Sequence, residues 1–180
     1  WNVGRILKKL DALALREDTI VVYFSDNGPN SFRWNGGMKG KKGSIDEGGL
    51  RSPFLIRWPG QIPAGQTIRQ VAGAIDLLPT LTELAQVPVK TAKQIEGRSF
   101  AKLLRGNSKA EWPDRQLFSV WGAKRTTLRT ARFRMDERGA LFDILNDRGQ
   151  HRNVADQYPD LASKLRVALS AHRLDANKHF

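Results

Sequence analysis

The stretch "TIVVYFSDNGPN", residues 19–30, sets the fold class. Thr19 to Phe24 is β-branched, aromatic and almost wholly apolar. That pattern suits a strand buried on both faces of a parallel sheet. Such sheets place their chemistry in the crevice outside the strand C-termini. Asp26 and Asn27 fall there, inside a Ser25–Pro29 turn. Asp, Asn and Gly favour turns because they tolerate left-handed backbone or bond their own main chain. Taken by itself, the segment reads most simply as a turn.

Upstream, Val3, Ile6, Leu7, Leu10 and Leu13 recur at helical spacing and predict an amphipathic helix over residues 2–16. A helix followed by a buried strand is one step of a layered α/β fold. Downstream, a glycine-rich loop spans Gly28–Gly49, and Pro53–Trp58 reads as a second apolar strand. Pro59–Gly60 and Pro63–Gly65 punctuate turns, and Ile68–Ala74 is a candidate short strand. Asp76 stands where an N-cap belongs, ahead of Leu77, Leu78, Leu81 and Leu84 on one helical face. That helix stops before Pro88; Val89–Gln94 follows as a surface loop and Arg98–Arg105 as a short helix. From Gln116 the texture changes. Gln116–Val120, Thr126–Met135 and Ala140–Ile144 read as short antiparallel strands, and Tyr158–Arg173 as a closing helix with Leu161, Leu165 and Leu169 in register. The boundary is expected within residues 106–115.

A chain of 180 residues can bury a real core. It holds no cysteine, which excludes disulfides, a cysteine-ligated zinc and a thiol nucleophile within it. No apolar run approaches the roughly 18 residues of a membrane span. No secretory leader is read at its start, and because it opens at Trp1 a processed or truncated piece is expected. The net charge of +12 favours anionic partners. Basic residues gather in Arg33–Arg57 and in Lys124–Arg138, but the second cluster holds a single aromatic, Phe133. Single-strand binders interleave aromatics with their basic residues, and no nucleic-acid-binding signature is present. A solvated basic face is the simpler expectation.

The order "SDNG", "KGSIDEGGLRSP", "RWPGQIPAG", "AIDLLPTLTELA" resembles the C-terminal part of the sulfatase family, arylsulfatase type. The tail "LRTARFRMDERGALFDILNDRGQHRNVA" looks like that family's small C-terminal subdomain, although "NDRGQHRN" departs from the usual "DPxExxN". The resemblance implies an alkaline-phosphatase-like α/β fold, a layered mixed sheet flanked by helices. Residues 1–110 would be the end of the catalytic α/β domain, and 111–180 a small α+β unit with an antiparallel sheet. It further implies that Asp26 and Asn27 are metal ligands, for calcium ahead of magnesium. A carboxylate beside an amide carbonyl suits a hard cation, and the amide adds an oxygen without adding charge. Lys42, five residues ahead of Glu47, matches the lysine that contacts the substrate sulfate; an ammonium is a compact point charge with three donors. Lys39 and Lys41 are expected to be solvated. Glu47 matches a structural glutamate, and Gly48–Gly49 suggest close backbone approach. His172 is expected to pack rather than ligate, with His151 and His179 also far from the loop in sequence.

The family's nucleophile is a formylglycine made within "C/S-x-P-x-R", and no such motif occurs here. The resemblance therefore implies a C-terminal portion that is inactive alone and supplies half a metal clamp, one sulfate-binding lysine and part of the pocket wall. The implied reaction is attack of the formylglycine hydrate on sulfur, then expulsion of sulfate. The implied substrates are sulfated small molecules or glycans, and the implied locations are periplasmic, secreted or lysosomal. Two alternatives stand beside it: a phosphonate or phosphodiester hydrolase of the same superfamily, and a non-catalytic polyanion-binding module suggested by the charge.

Overall fold

The computed structural model describes residues 1–107, 109–122 and 125–176, so Lys124 and His179 lie outside the described residues. The chain divides into two compact units: Trp1–Tyr23 with Phe54–Trp112, and Phe24–Pro53 with Pro113 onward.

In the first unit, helix α1 (Asn2–Ala12) is shorter than its apolar spacing predicts. It ends because Ala14 turns into the left-handed region at φ 54°, while the Leu15 N–H returns to the Leu10 carbonyl at 2.9 Å. None of its residues is buried, and Val3, Ile6 and Leu13 lie open. Strand β1 (Val21–Phe24) pairs with β2 (Phe54–Arg57) in a two-stranded sheet. β1 is not covered on both faces as its composition predicts: Tyr23 and Phe24 are each 50% exposed. The apolar run suits a doubly covered strand, but among the described residues β1 has one paired neighbour.

Helices α3 (Leu77–Leu84) and α4 (Ala101–Leu104) close the core of this unit. Leu84, Phe100, Leu103 and Leu104 are buried there with Ile62, flanked by Ile56, Trp58 and Trp112. Residues Ile68–Ala74 form no strand. Side chains take their backbone groups instead: the Trp112 indole donates to the Val71 carbonyl at 3.1 Å, and the Asp76 carboxylate accepts from the Gly73 N–H at 2.8 Å. Asp76 holds the N-cap position of α3 but makes no capping bond to that helix. Fully buried, it accepts from Gly73 and, at 2.8 Å, from the Arg98 N–H, tying two distant segments together.

The second unit is built on a four-stranded antiparallel sheet in the order β3 (Leu117–Trp121), β4 (Arg125–Arg129), β5 (Phe133–Met135), β6 (Leu141–Asp143). The predicted strand Thr126–Met135 is thus two strands. They part at Thr130, whose hydroxyl accepts from the Phe133 N–H at 3.0 Å and closes the turn. Strand alternation then divides the side chains between two faces. Leu128, Phe133, Met135 and Leu141 pack with Leu165 and Leu169 of α5 (Pro159–Ala176) to form the core. His172 of α5 stacks on Phe118 with ring centroids 4.0 Å apart, the packing role expected of it.

Thr127, Arg129, Arg134 and Phe142 take the opposite face, and the glycine-rich loop covers them. The Ile45 carbonyl accepts from the Thr127 hydroxyl at 3.2 Å and from the Arg134 guanidinium at 2.7 Å. This is why residues 24–53 group with the C-terminal sheet.

Candidate functional site

Every site residue read from the sequence lies in the second unit. Asp26 and Asn27 follow β1 directly, the first exposed and the second half-buried. Behind them the Gly28 N–H donates to the Gly49 carbonyl at 2.8 Å. The Lys42 N–H donates to the Pro29 carbonyl at 2.9 Å. Two main-chain bonds therefore clasp the Asp26–Asn27 turn to the loop that carries Lys42.

The clasp needs glycine for want of space. A Cβ on Gly28 would sit 1.8 Å from the Gly48 carbonyl oxygen, and one on Gly49 would sit 2.2 Å from that of Ser44. A Cβ on Gly48 would meet the Gly40 carbonyl oxygen at 2.6 Å. The close backbone approach expected of Gly48–Gly49 is present. Within this packing the short helix α2 (Glu47–Leu50) sits buried at its start.

The donor chemistry of the turn suits a hard cation. Among the described residues the Asp26 carboxylate is held only by the Ser25 hydroxyl at 3.5 Å, the outer limit of a hydrogen bond. Two oxygen-bearing residues are fewer than the six to eight oxygens calcium takes, so they fit as part of a ligand set. Among the described residues no group of three or more His, Asp or Glu side chains gathers to complete one.

The three lysines of the loop differ. Lys39 ion-pairs with Asp46 at 3.4 Å and lies 5.6 Å from the Phe142 ring centroid. Lys41 sits over Phe32 at 5.2 Å. Both are exposed, as the sequence suggests, and the loop, folding back on itself, also offers each a partner. Lys42 is exposed, and its ammonium makes no ion pair or ring contact among the described residues.

Glu47 anchors the loop to the sheet. Its carboxylate lies 3.3 Å from both the Arg129 and Arg134 guanidinium groups and 3.5 Å from that of Arg51. Burial pushes the Arg129 and Arg134 pKa values down, and the Glu47 charge opposes that shift. Among its described residues the Lys124–Arg138 cluster is only in part a solvated basic face, with Arg132 and Arg138 exposed. Arg129 and Arg134 are buried, Arg125 pairs with Glu137 at 2.8 Å, and Arg132 with Asp143 at 2.7 Å.

Sequence reasoning missed Gln150. It is buried in left-handed backbone at φ 53°, and its side-chain oxygen accepts from the Glu47 N–H at 2.9 Å. The one signal was its place in "NDRGQHRN", where the tail departs from the expected pattern. His151 beside it pairs with Asp147 at 3.1 Å.

A model of the sulfatase family matches residues 1–87. Steryl-sulfatase of Homo sapiens is 38% identical over 118 residues, covering 60% of this chain and 20% of that protein. Arylsulfatase A of Bos taurus is 32% identical over 196 residues, covering 89% of this chain and 38% of that protein. A putative sulfatase from Bacteroides thetaiotaomicron superimposes on 97% of this chain and 40% of its own, with a TM-score of 0.69 and 26% identity. The chain therefore spans between 20% and 40% of the proteins it matches here. Its fold is that of the matching part of those structures, the alkaline-phosphatase-like α/β class with a C-terminal antiparallel sheet.

Proposed function

The chain belongs to the sulfatase family, and from that premise we propose that it serves the hydrolysis of sulfate esters, with Asp26 and Asn27 as calcium ligands and Lys42 as the sulfate-binding cation. The observation that carries the reading is the double main-chain clasp from Gly28 to Gly49 and from Lys42 to Pro29, at 2.8 and 2.9 Å. It ties an anionic turn, suited to a dication, to the loop bearing an ammonium that has no partner among the described residues. Those are the groups that binding a sulfate ester and stabilising charge on its oxygens require.

The turn aims the Asp26 and Asn27 oxygens, and the glycines keep the turn against the loop. Lys42 offers donors to a sulfate oxygen or to the bridging oxygen as charge grows there. Glu47, with its arginines, holds the loop at a fixed height over the sheet. A bound calcium would supply positive charge to the sulfate oxygens. The attacking group, a formylglycine, would come from residues outside this chain, and the substrates would be sulfated small molecules or glycans.

The test is sulfate release from 4-nitrophenyl sulfate by the complete enzyme, with calcium and after chelation. Calcium-dependent release is expected, and Asp26→Ala should reduce calcium affinity and turnover together, more severely than Asn27→Ala. A carboxylate binds a hard dication more strongly than an amide does. Metal content and rate unchanged in Asp26→Ala would return the segment to a plain turn. Hydrolysis of bis(4-nitrophenyl) phosphate in place of the sulfate ester would move the reaction to phosphodiesters.

A further inference from the structure

Lys42 stands inside a segment whose two ends are pinned by the tail of the second unit. Three residues before it, the Lys39 N–H donates to the Arg148 carbonyl at 3.3 Å. Five residues after it, the Glu47 N–H donates to the Gln150 side-chain oxygen at 2.9 Å. The Gln150 amide nitrogen also reaches the Asp46 carboxylate, at 3.5 Å. The segment closes across its own base, where the Gly48 N–H donates to the Lys39 carbonyl at 2.7 Å. The Ser44 N–H bonds the Lys41 carbonyl at 2.9 Å within it. Lys42 is thus carried by a closed ring of backbone, and the tail grips that ring at both stems.

The tail is shaped for that grip. Gln150 sits in left-handed backbone at φ 53°, which few residues other than glycine adopt. Such a conformation persists only where its surroundings over-determine it. Here the Gln150 N–H donates to the Asp147 carbonyl at 3.2 Å, and the Asp147 carboxylate accepts from the Arg152 N–H at 2.9 Å. The turn so formed sends the Gln150 side chain inward, where the residue is 5% exposed.

The loop needs an acceptor from outside at this point. The first N–H groups of a helix have no partner within it, and Asp46, the N-cap residue of α2, makes no side-chain capping bond. Gln150 supplies that acceptor from 103 residues away. The work is divided: the Glu47 carboxylate ties its side chain to the arginines of the sheet, and Gln150 holds its main chain. With that bond removed, the Asp46–Gly48 stem is free to shift, and Lys42 shifts with it.

We propose that Gln150 is a positioning residue for sulfate-ester cleavage: by holding the Glu47 main chain from the tail, it fixes where Lys42 meets the sulfate. The proposal rests on the sulfatase reading and on the role given there to Lys42. It is tested in the complete enzyme acting on 4-nitrophenyl sulfate, with Gln150→Gly and Gln150→Glu. Glycine adopts left-handed backbone without cost, so it keeps the turn and removes only the side chain. Gln150→Gly should lower kcat by roughly tenfold, between the worth of one neutral hydrogen bond and the loss from a misplaced catalytic group. Gln150→Glu, which keeps an acceptor for the Glu47 N–H, should recover most of that loss. The readout that a merely structural role would not move is the double-mutant cycle. In a Lys42→Ala background, Gln150→Gly should cost less than about twofold, because the group it positions is gone. A Gly variant within twofold of wild type, no recovery with glutamate, or the same tenfold loss in both backgrounds would overturn the proposal. Hydrogen exchange needs no turnover: Gln150→Gly should speed exchange at the Glu47, Gly48 and Lys42 amides, and unchanged exchange there would also overturn it. Failure of the wild type to release any sulfate would instead sink the sulfatase reading.

Discussion

Replacing Glu47 by glutamine probes how the glycine-rich loop is held. Glu47 is 5% exposed, and it faces Arg129 and Arg134, both buried, at 3.3 Å. Glutamine keeps the shape and can still accept one hydrogen bond, but it removes the only carboxylate within ion-pair distance of these two guanidinium groups among the described residues. Breaking a buried pair from one side costs about 3–5 kcal/mol, because a desolvated charge is left without compensation. The retained hydrogen bond places Glu47→Gln near the lower end, about 3 kcal/mol. At roughly 2–4 °C per kcal/mol for a chain of this size, the melting temperature should fall by about 6–12 °C. Arg51 is the control. It touches the same carboxylate at 3.5 Å, but its side chain is 53% exposed. Exposed pairs are worth about 0–1 kcal/mol, so Arg51→Ala should shift the melt by no more than a few degrees. Differential scanning calorimetry reads both variants. Hydrogen exchange should also show Glu47→Gln loosening the amides of Lys42 and Gly48, which are bonded to Pro29 and Lys39. Equal small shifts for the two variants would refute the buried-anchor reasoning.

Gly28→Ala should destabilise the protein by more than about 2 kcal/mol, since its Cβ would overlap a backbone carbonyl that cannot rotate away; a melt within 1 °C of wild type would show that the clasp is pliable. The hydrogen bonds from Arg132, at 2.7 and 3.0 Å, hold the Asp143 carboxyl below the usual carboxylate range. A depressed folded pKa gives stability that is full above the unfolded value of 3.8 and is lost as pH falls through the folded value. The stability gap between wild type and Asp143→Asn should therefore be widest at neutral pH and close below about pH 4, read from melts across that range; a constant gap would contradict it. Under the proposed reading, residues 1–180 alone should release no sulfate from 4-nitrophenyl sulfate, because they lack the C/S-x-P-x-R motif to which that reading assigns the nucleophile; calcium-stimulated turnover by this segment would contradict the proposed division of labour.

What the sequence made legible was set by local patterning and ordered motifs. The strand from Val21, the helix from Leu77 and the closing helix follow from apolar periodicity, and the glycines of the loop from their spacing near Glu47. What was hidden depends on long-range partners. Asp76 reads as a cap, yet its carboxylate bonds the Arg98 N–H 22 residues on. The arginines of β4 and β5 read as a solvated face, because only the fold reveals that the loop brings Glu47 onto them. Gln150 carries no periodic signal, and its role depends on an amide 103 residues away. The exposure of Tyr23 and Phe24 shows the converse, an apolar run that its own chain leaves half open.

The central claim, that Lys42 meets the charge developing on a sulfate ester, is tested most directly by kcat. An interaction that strengthens in the transition state appears in kcat and not in KM alone. In the complete enzyme acting on 4-nitrophenyl sulfate, Lys42→Ala should lower kcat by roughly 10²–10³, about 3–4 kcal/mol, the loss found for one oxyanion donor. Lys42→Arg should recover little, because a planar fork does not replace a point charge. Lys39→Ala and Lys41→Ala, whose ammonium groups face Asp46 and Phe32, should change kcat by less than about threefold. Equal small effects at all three lysines, in variants shown to be folded, would mean that the loop is only a basic surface and that Lys42 does not bind the sulfate.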